Sequence, residues 1–241
     1  MIMRDMNAYV MGFRSLPSSL TAATLPLLTA PLFQLLGALN AEVNGTALSS
    51  SIASQLSTLG SIALLSSAWI SGTSLNHYDN EINRLLTQER WLARIRSTFM
   101  VHALLAVAWV IGTLAFISIF NFSDLKELGV KPLGVAAFEV TLMSLLGCAI
   151  GFAFKSGVFS VSFTILYSLL LAPAVDRLAP AIMMRGIAPR LHEVANGQRV
   201  TLPLLFDVAY FLSLIVLFLG IFLLINVLRF GDVNGRQAEY P

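Results

Sequence analysis

Six long apolar runs divide the chain, each bounded by polar or loop-forming residues. A helix that crosses about 30 Å of hydrocarbon needs about 20 apolar residues, and each run is close to that length or longer. Because backbone polar groups in lipid must be paired within the segment, each run predicts a transmembrane α-helix, with Pro26 and Pro31 kinking the first. The runs cover residues 19–39, 52–71, 99–120, 133–154, 157–175 and 202–228.

The overall composition supports lipid as the solvent. Hydrophobic residues make up 56% of the 241 positions and charged residues only 12%, with a mean hydropathy of +0.78. Soluble domains carry about a quarter charged residues, so a water-soluble surface is hard to build from this chain. Six spans use most of the length, and we therefore expect an all-α integral membrane protein with a single transmembrane domain over residues 1–241.

Two further segments predict helices outside the six spans. Before the first run, apolar side chains recur at helical spacing among Arg4, Asp5 and Arg14, which predicts an amphipathic helix in the membrane interface; a disordered tail is the alternative. The apolar positions are Met3, Met6, Tyr9, Val10 and Phe13. Segment 176–199 is half apolar and broken by prolines, which indicates short helices in the outer loop between the fifth and sixth spans.

Basic residues in the loops predict the orientation. None lies between the first two runs, whereas Arg84, Arg90, Arg94 and Arg96 lie between the second and third. Loops rich in Lys and Arg stay in the cytoplasm. We therefore expect the second loop and both termini to be cytoplasmic.

Several kinds of chemistry lack a sequence signal. There is no GxxxxGK[ST] loop, no HExxH motif and only one cysteine, Cys148, and the three histidines are far apart in the sequence. We expect no catalytic residues and no metal site, so the chain is predicted not to be an enzyme. Gly72-Thr73-Ser74 near His77 is expected to cap a helix rather than to hold a nucleophile. The net charge of +2 does not suggest nucleic acid.

A stripe of serines marks the second run. Ser50, Ser54, Ser57 and Ser61 recur at i, i+4, i+7 and i+11 and share one helix face. Lipid-facing positions do not favour hydroxyls, so this face is expected to meet protein. Close helix packing is one explanation, and a translocation pathway or a seam between subunits is the other.

Two carboxylates and two glycines lie inside apolar runs. Glu139 and Asp207 are each within the outer part of a span, where an acidic residue is a functional candidate by default; structural pairing with a basic residue is the alternative. Gly147 and Gly151 form a small-xxx-small pattern that predicts close helix packing.

The segment 76–98 is expected to be helical and to carry most of the cytoplasmic charge. Ile82, Leu85 and Leu86 form an apolar ridge on an otherwise polar segment. Such a ridge on a helix outside the membrane is typical of a docking site, although a solvated loop helix has the same pattern.

This arrangement resembles the permease subunit of a type-2 ABC exporter. Residues 145–156 (LLGCAIGFAFKS) are similar to that family's small-residue span ending in a short basic cytoplasmic turn, and Glu81 with Leu85-Leu86-Thr87 is similar to its coupling segment. The resemblance implies a coupling helix between spans two and three, formed by Glu81, Ile82, Arg84, Leu85, Leu86 and Thr87. It also implies a location in the bacterial cytoplasmic membrane.

The resemblance further implies the partners and the cargo. A separate P-loop ATPase subunit would bind ATP and Mg, and a second permease subunit would complete a homodimer or heterodimer. The expected substrate is amphipathic or hydrophobic, such as a peptide, lipid, glycan or drug, moved out of the cytoplasm. Three alternatives remain: a vitamin-binding membrane subunit of an uptake system, a proton-coupled carrier using Glu139 and Asp207, and a non-transporting assembly or sensor protein.

Overall fold

The computed structural model describes residues 17–29, 31–32, 52–82, 88–120, 130–167, 209 and 212–225. No strand occurs among these residues, so the all-α part of the prediction is confirmed for the described part of the chain. The predicted interface helix near the N-terminus and the short helices of segment 176–199 lie outside the described residues. The helices are α1 (Pro17–Thr24) continued by a 3-10 helix (Leu25–Leu28), α2 (Ile52–Ile82), α3 (Gln88–Phe120), α4 (Val130–Phe154), α5 (Gly157–Leu166) and α6 (Leu212–Ile225).

The helix containing Pro26 changes form at that proline. The α-helical hydrogen bonding of α1 ends at Thr24 and a 3-10 helix takes over, because proline has no N–H to donate to the preceding turn. Near this change, the hydroxyl of Thr29 donates a hydrogen bond to the carbonyl of Pro26 at 2.7 Å. The helix thus changes type at Pro26, where the sequence predicts a kink; the bend itself stays a prediction.

Helices α2 and α3 are longer than the apolar runs within them. At 1.5 Å per residue, the 31 residues of α2 and the 33 residues of α3 extend about 46 and 50 Å. The expected cap at Gly72-Thr73-Ser74 is wrong, since α2 continues through these residues to Ile82. The end of an apolar run does not mark the end of a helix, because polar residues beyond the run are also compatible with helical structure. The helical prediction for 76–98 is confirmed for 76–82 and 88–98.

The junction of α4 and α5 lies at the predicted position. Helix α4 ends at Phe154 and α5 begins at Gly157, with only Lys155 and Ser156 between them. Lys155 has a φ of 51°, the left-handed conformation that closes a helix and that glycine adopts most easily. Ser156 is extended and caps α5, its hydroxyl accepting from the N–H of Phe159.

The core joins helices that are not consecutive in the sequence. Helix α2 packs most extensively on α4 among the helix pairs of the described part, and much less on its sequence neighbour α3. One buried cluster joins α2, α3 and α4 around Leu59, Trp109 and Val140. Helix α6 closes the other side, where Phe222 meets Phe152 edge to face at 5.1 Å between ring centroids.

Large apolar side chains also cover the outside. On α3 they follow one face at helical spacing and are 42–74% exposed: Met100, Leu104, Val107, Ile111 and Ile119. Two helical segments, Ile95–Ile119 and Leu133–Phe154, are long and apolar enough to cross a membrane. In the first, only 39% of the most apolar stretch is buried, whereas the core helix of a soluble protein is mostly buried. These properties are typical of a membrane protein.

Candidate functional site

The predicted coupling residues lie at the end of α2 and just beyond it. Glu81 and Ile82 are the last two residues of α2, while Arg84, Leu85, Leu86 and Thr87 lie outside the described residues. The helical backbone therefore reaches the predicted segment from one side and resumes at Gln88 on the other. The docking role of these six residues stays a prediction.

The predicted serine stripe is described only in part. Ser50 lies outside the described residues, and Ser54 and Ser57 belong to the first turns of α2. Ser61 is exposed on the surface of the chain, which leaves it accessible to another subunit, to lipid or to a substrate. Close packing and a pathway or subunit seam both stay predictions for this stripe.

Of the two predicted intramembrane acids, Glu139 lies among the described residues. Glu139 is 4% exposed on α4, next to the buried Val140 in the cluster around Trp109, so this carboxylate faces protein. Asp207 lies outside the described residues. Whether Glu139 serves transport or structure stays a prediction.

A close contact joins α2 and α4 through two glycines of α4. A Cβ at Gly147 would overlap the carbonyl oxygen of Leu64 and lie 3.0 Å from the amide nitrogen of Ala68. A Cβ at Gly151 would overlap the Ser71 hydroxyl and lie 2.7 Å from a backbone nitrogen of α2. Only glycine allows this approach of two backbones, and the packing role predicted for this pair is confirmed.

Serine hydroxyls bridge the same contact. The hydroxyls of Ser67 and Ser144 are 2.7 Å apart, and Ser144 also donates to the carbonyl of His102 on α3 at 3.2 Å. One turn along, Ser71 donates to the carbonyls of Ser67 at 2.8 Å and of Cys148 at 3.2 Å. All five residues are buried, so these bonds join three helices away from solvent.

The contact extends into the junction of α4 and α5. A Cβ at Gly72 would lie 2.8 Å from the carbonyl of Ser156, and one at Gly157 would lie 2.5 Å from the Thr73 methyl group. The junction is therefore level with Gly72 and Thr73 on α2. Lys155 places its ammonium 5.3 Å from the centre of the Phe222 ring, which joins α6 to the same region.

Helix α1 is attached to two helices by polar side chains. The hydroxyls of Ser19 and Thr73 are 2.9 Å apart, which ties α1 to α2. The indole N–H of Trp109 donates to the carbonyl of Ala23 at 2.7 Å, which ties α1 to α3 just before the proline break. In a membrane interior this bond would give the Ala23 carbonyl a hydrogen-bond donor where no water is present.

Sequence reasoning named the glycines of α4 but missed their partners. Ala68 and Gly72 are also four residues apart, and this second small-xxx-small pattern on α2 was the available signal. The pairing of Ser67 with Ser144 had no signal in a single sequence, because the two residues are 77 positions apart. Groups of three or more His, Cys, Asp or Glu able to hold a metal ion are absent from the described residues.

The described residues thus define an all-helical protein with two helices long and apolar enough to cross a membrane. Comparison with known proteins adds nothing to this class, since no protein-family model, no curated protein and no solved structure matches the chain.

Proposed function

We propose that the chain is the permease subunit of an ATP-driven exporter of the type-2 ABC class in the bacterial cytoplasmic membrane. In this proposal it crosses the membrane six times with both termini in the cytoplasm, and pairs with a second permease subunit. A separate P-loop ATPase subunit supplies the energy, and an amphipathic or hydrophobic substrate leaves the cytoplasm. The observation that carries the proposal is the length of α2 and α3 beyond the apolar region.

The junction of α4 and α5 serves as a marker for the membrane boundary. Its chain break and basic residue, Lys155, belong at a polar interface, because irregular backbone is not exposed to lipid. Gly72 on α2 is level with this junction. From Thr73 to Ile82, α2 continues for ten more residues, or about 15 Å.

Helix α3 begins on the same side, with five residues between its start and the end of α2. Seven residues, from Gln88 to Arg94, precede its membrane-length segment Ile95–Ile119 and add about 10 Å of helix. Two helices that extend together past the boundary offer a partner a rigid surface. The predicted coupling residues, including Glu81, Arg84 and Leu85, lie at or next to these helix ends.

Helices that extend past the membrane boundary suit a subunit that is driven by ATP hydrolysis on a partner. A nucleotide can drive a membrane domain only if the ATPase binds one conformation of that domain more tightly than the other. Helices continuous from the docking surface into the membrane pass a displacement of their ends to the spans. Ser61, exposed on α2, is a candidate for contact with the second permease subunit or with the substrate.

The experiment is purification of the tagged chain from bacterial membranes with an assay of the ATPase activity that accompanies it. Charge introduction across the ridge, in the triple variant Arg84→Glu, Leu85→Glu and Leu86→Glu, should remove that activity while the protein still elutes as a folded species. Arg190→Glu in the predicted outer loop is the control and should retain it. ATPase activity that stays with the triple variant would contradict the docking assignment.

The topology has its own test in a Cys148→Ala background. A cysteine placed at Asn44 should react with an impermeant thiol reagent from outside, and one placed at Asn83 only from inside. The reverse pattern would overturn the orientation.

A second candidate function is a proton-coupled carrier, and the burial of Glu139 favours it. An acidic side chain in an apolar span is a functional candidate because it is costly there. The double variant Glu139→Gln and Asp207→Asn separates the two proposals: unimpaired ATP-dependent transport would dismiss the carrier.

A further inference from the structure

Helices α2 and α4 are in contact through their backbones at two positions, in addition to their side-chain contacts. At Gly147 and Gly151, no atom larger than hydrogen separates the α4 backbone from Leu64, Ala68 and Ser71 of α2. Two buried hydroxyl bonds run along this contact, and the pair has the most extensive packing in the described part. At these two positions, no rotatable side chain lies between the two helices.

The two glycines are spaced so that only one register fits. If α4 moved by one turn toward its C-terminal end, Met143 would occupy the place of Gly147. If it moved one turn the other way, Lys155 would occupy the place of Gly151. Either residue would bring a Cβ into a space that the α2 backbone already fills, so a one-turn ratchet of α4 along α2 is sterically blocked.

Helix α1 is held differently. Its polar attachments are one hydroxyl pair to α2, Ser19 with Thr73, and the bond from Trp109 of α3 to Ala23. In addition, the Leu27 side chain of its 3-10 continuation packs beside Gly112 of α3. The proline break directly follows the polar attachments. Discrete hydrogen bonds can exchange partners at small cost, whereas interlocked backbones cannot.

We propose that α2, α4 and the first turn of α5 form one rigid body, and that changes of state occur by movement of α1 against it. As part of the proposed permease function, on which the transport consequence rests, this body would carry a displacement of the α2 end to the α4–α5 junction without loss. Ser156 and Gly157 would move together with α2, because their backbone is in close contact with Gly72.

The first experiment tests the register and needs no ATPase. In the Cys148→Ala background, Ser67→Cys with Ser144→Cys should form a disulfide on mild oxidation, because the two hydroxyls are 2.7 Å apart. In the same background, Ser71→Cys with Ser144→Cys should not, since Ser71 contacts Cys148 and Ser144 reaches that place only after a one-turn shift of α4. Peptide mapping of membranes measures both yields. A comparable yield for the shifted pair would overturn the rigid register, whether or not the protein transports anything.

The second experiment uses the purified complex with its ATPase. The disulfide between positions 67 and 144 should leave ATP-driven turnover unchanged relative to the reduced variant. The matched pair Ser19→Cys with Thr73→Cys, whose hydroxyls are 2.9 Å apart, should abolish turnover once oxidised because it fixes α1 to the rigid body. Loss of turnover with the first pair, or none with the second, would overturn the assignment of moving parts. Absence of any associated ATPase would instead refute the proposed function and leave the register result standing.

Discussion

Two glycines on α4 should respond in opposite directions to the same substitution. Replacing a helix-interior glycine by alanine gains about 0.5–1 kcal/mol, because the unfolded chain loses conformational freedom. At Gly134 nothing lies within 4 Å of the added Cβ, so this gain should appear in full. At Gly147 the Cβ would lie 3.0 Å from the Ala68 nitrogen and would overlap the Leu64 carbonyl, whereas ordinary contact begins at 3.4 Å.

The helices must therefore separate to accept Gly147→Ala. Overpacking of a tight contact costs about 1–3 kcal/mol, and separation also stretches the bond between Ser67 and Ser144. After subtraction of the propensity gain, Gly147→Ala should lower the free energy of unfolding by up to about 2.5 kcal/mol, while Gly134→Ala should raise it by about 0.5–1 kcal/mol.

The assay is unfolding of the purified protein in mixed micelles with increasing SDS, followed by circular dichroism. Gly220→Ala on α6 is a second control, because its Cβ also meets nothing within 4 Å. If Gly147→Ala unfolded at the same SDS fraction as the two controls, the backbone contact between α2 and α4 would be refuted.

Three further predictions use the same assay. Trp109→Phe should cost about 1–2 kcal/mol, because the α1 carbonyl it contacts loses its buried donor; an unchanged midpoint would show that carbonyl to be satisfied elsewhere. A double-mutant cycle of Ser67→Ala and Ser144→Ala should give a coupling energy of about 0.5–1 kcal/mol, and additive single effects would argue against their bond. Lys155→Gly should stabilise the protein by up to about 1 kcal/mol, because glycine adopts the left-handed conformation without strain. Lys155→Met should destabilise it by about 0.5–1 kcal/mol, because the contact of the ammonium with the Phe222 ring is lost. A change of the same sign for both variants would contradict the prediction that backbone strain and ring contact have opposite effects at this position.

The sequence predicted the features that one residue type enforces by itself. Pro26 disrupts the interior of a helix, because it lacks an N–H to donate to the preceding turn. Gly147 and Gly151 mark a close approach in an apolar run, since small residues there serve packing. The junction at Lys155 and Ser156 is visible as the one polar interruption between two apolar runs.

Other features depend on neighbours that the sequence does not name. The apolar run that predicts the second span ends at Ser71, whereas α2 continues to Ile82. The partner of Ser67 could not be predicted, because packing of α2 on α4 rather than on α3 is a tertiary choice. For the candidate site, the coupling and stripe residues could be selected by chemistry, but the contacts they make with a partner subunit are not properties of this chain alone.

The bond from Trp109 to Ala23 has a consequence for biosynthesis. The donor follows the acceptor by 86 residues, so α1 leaves the ribosome long before the indole that pairs its carbonyl exists. During that interval the broken first helix carries a backbone group that lipid cannot solvate. Helix α1 should therefore stay beside the insertion machinery, or in its hydrated channel, until α3 arrives. Helices α1 and α3 would then enter the lipid together, rather than each being released as soon as it is synthesised.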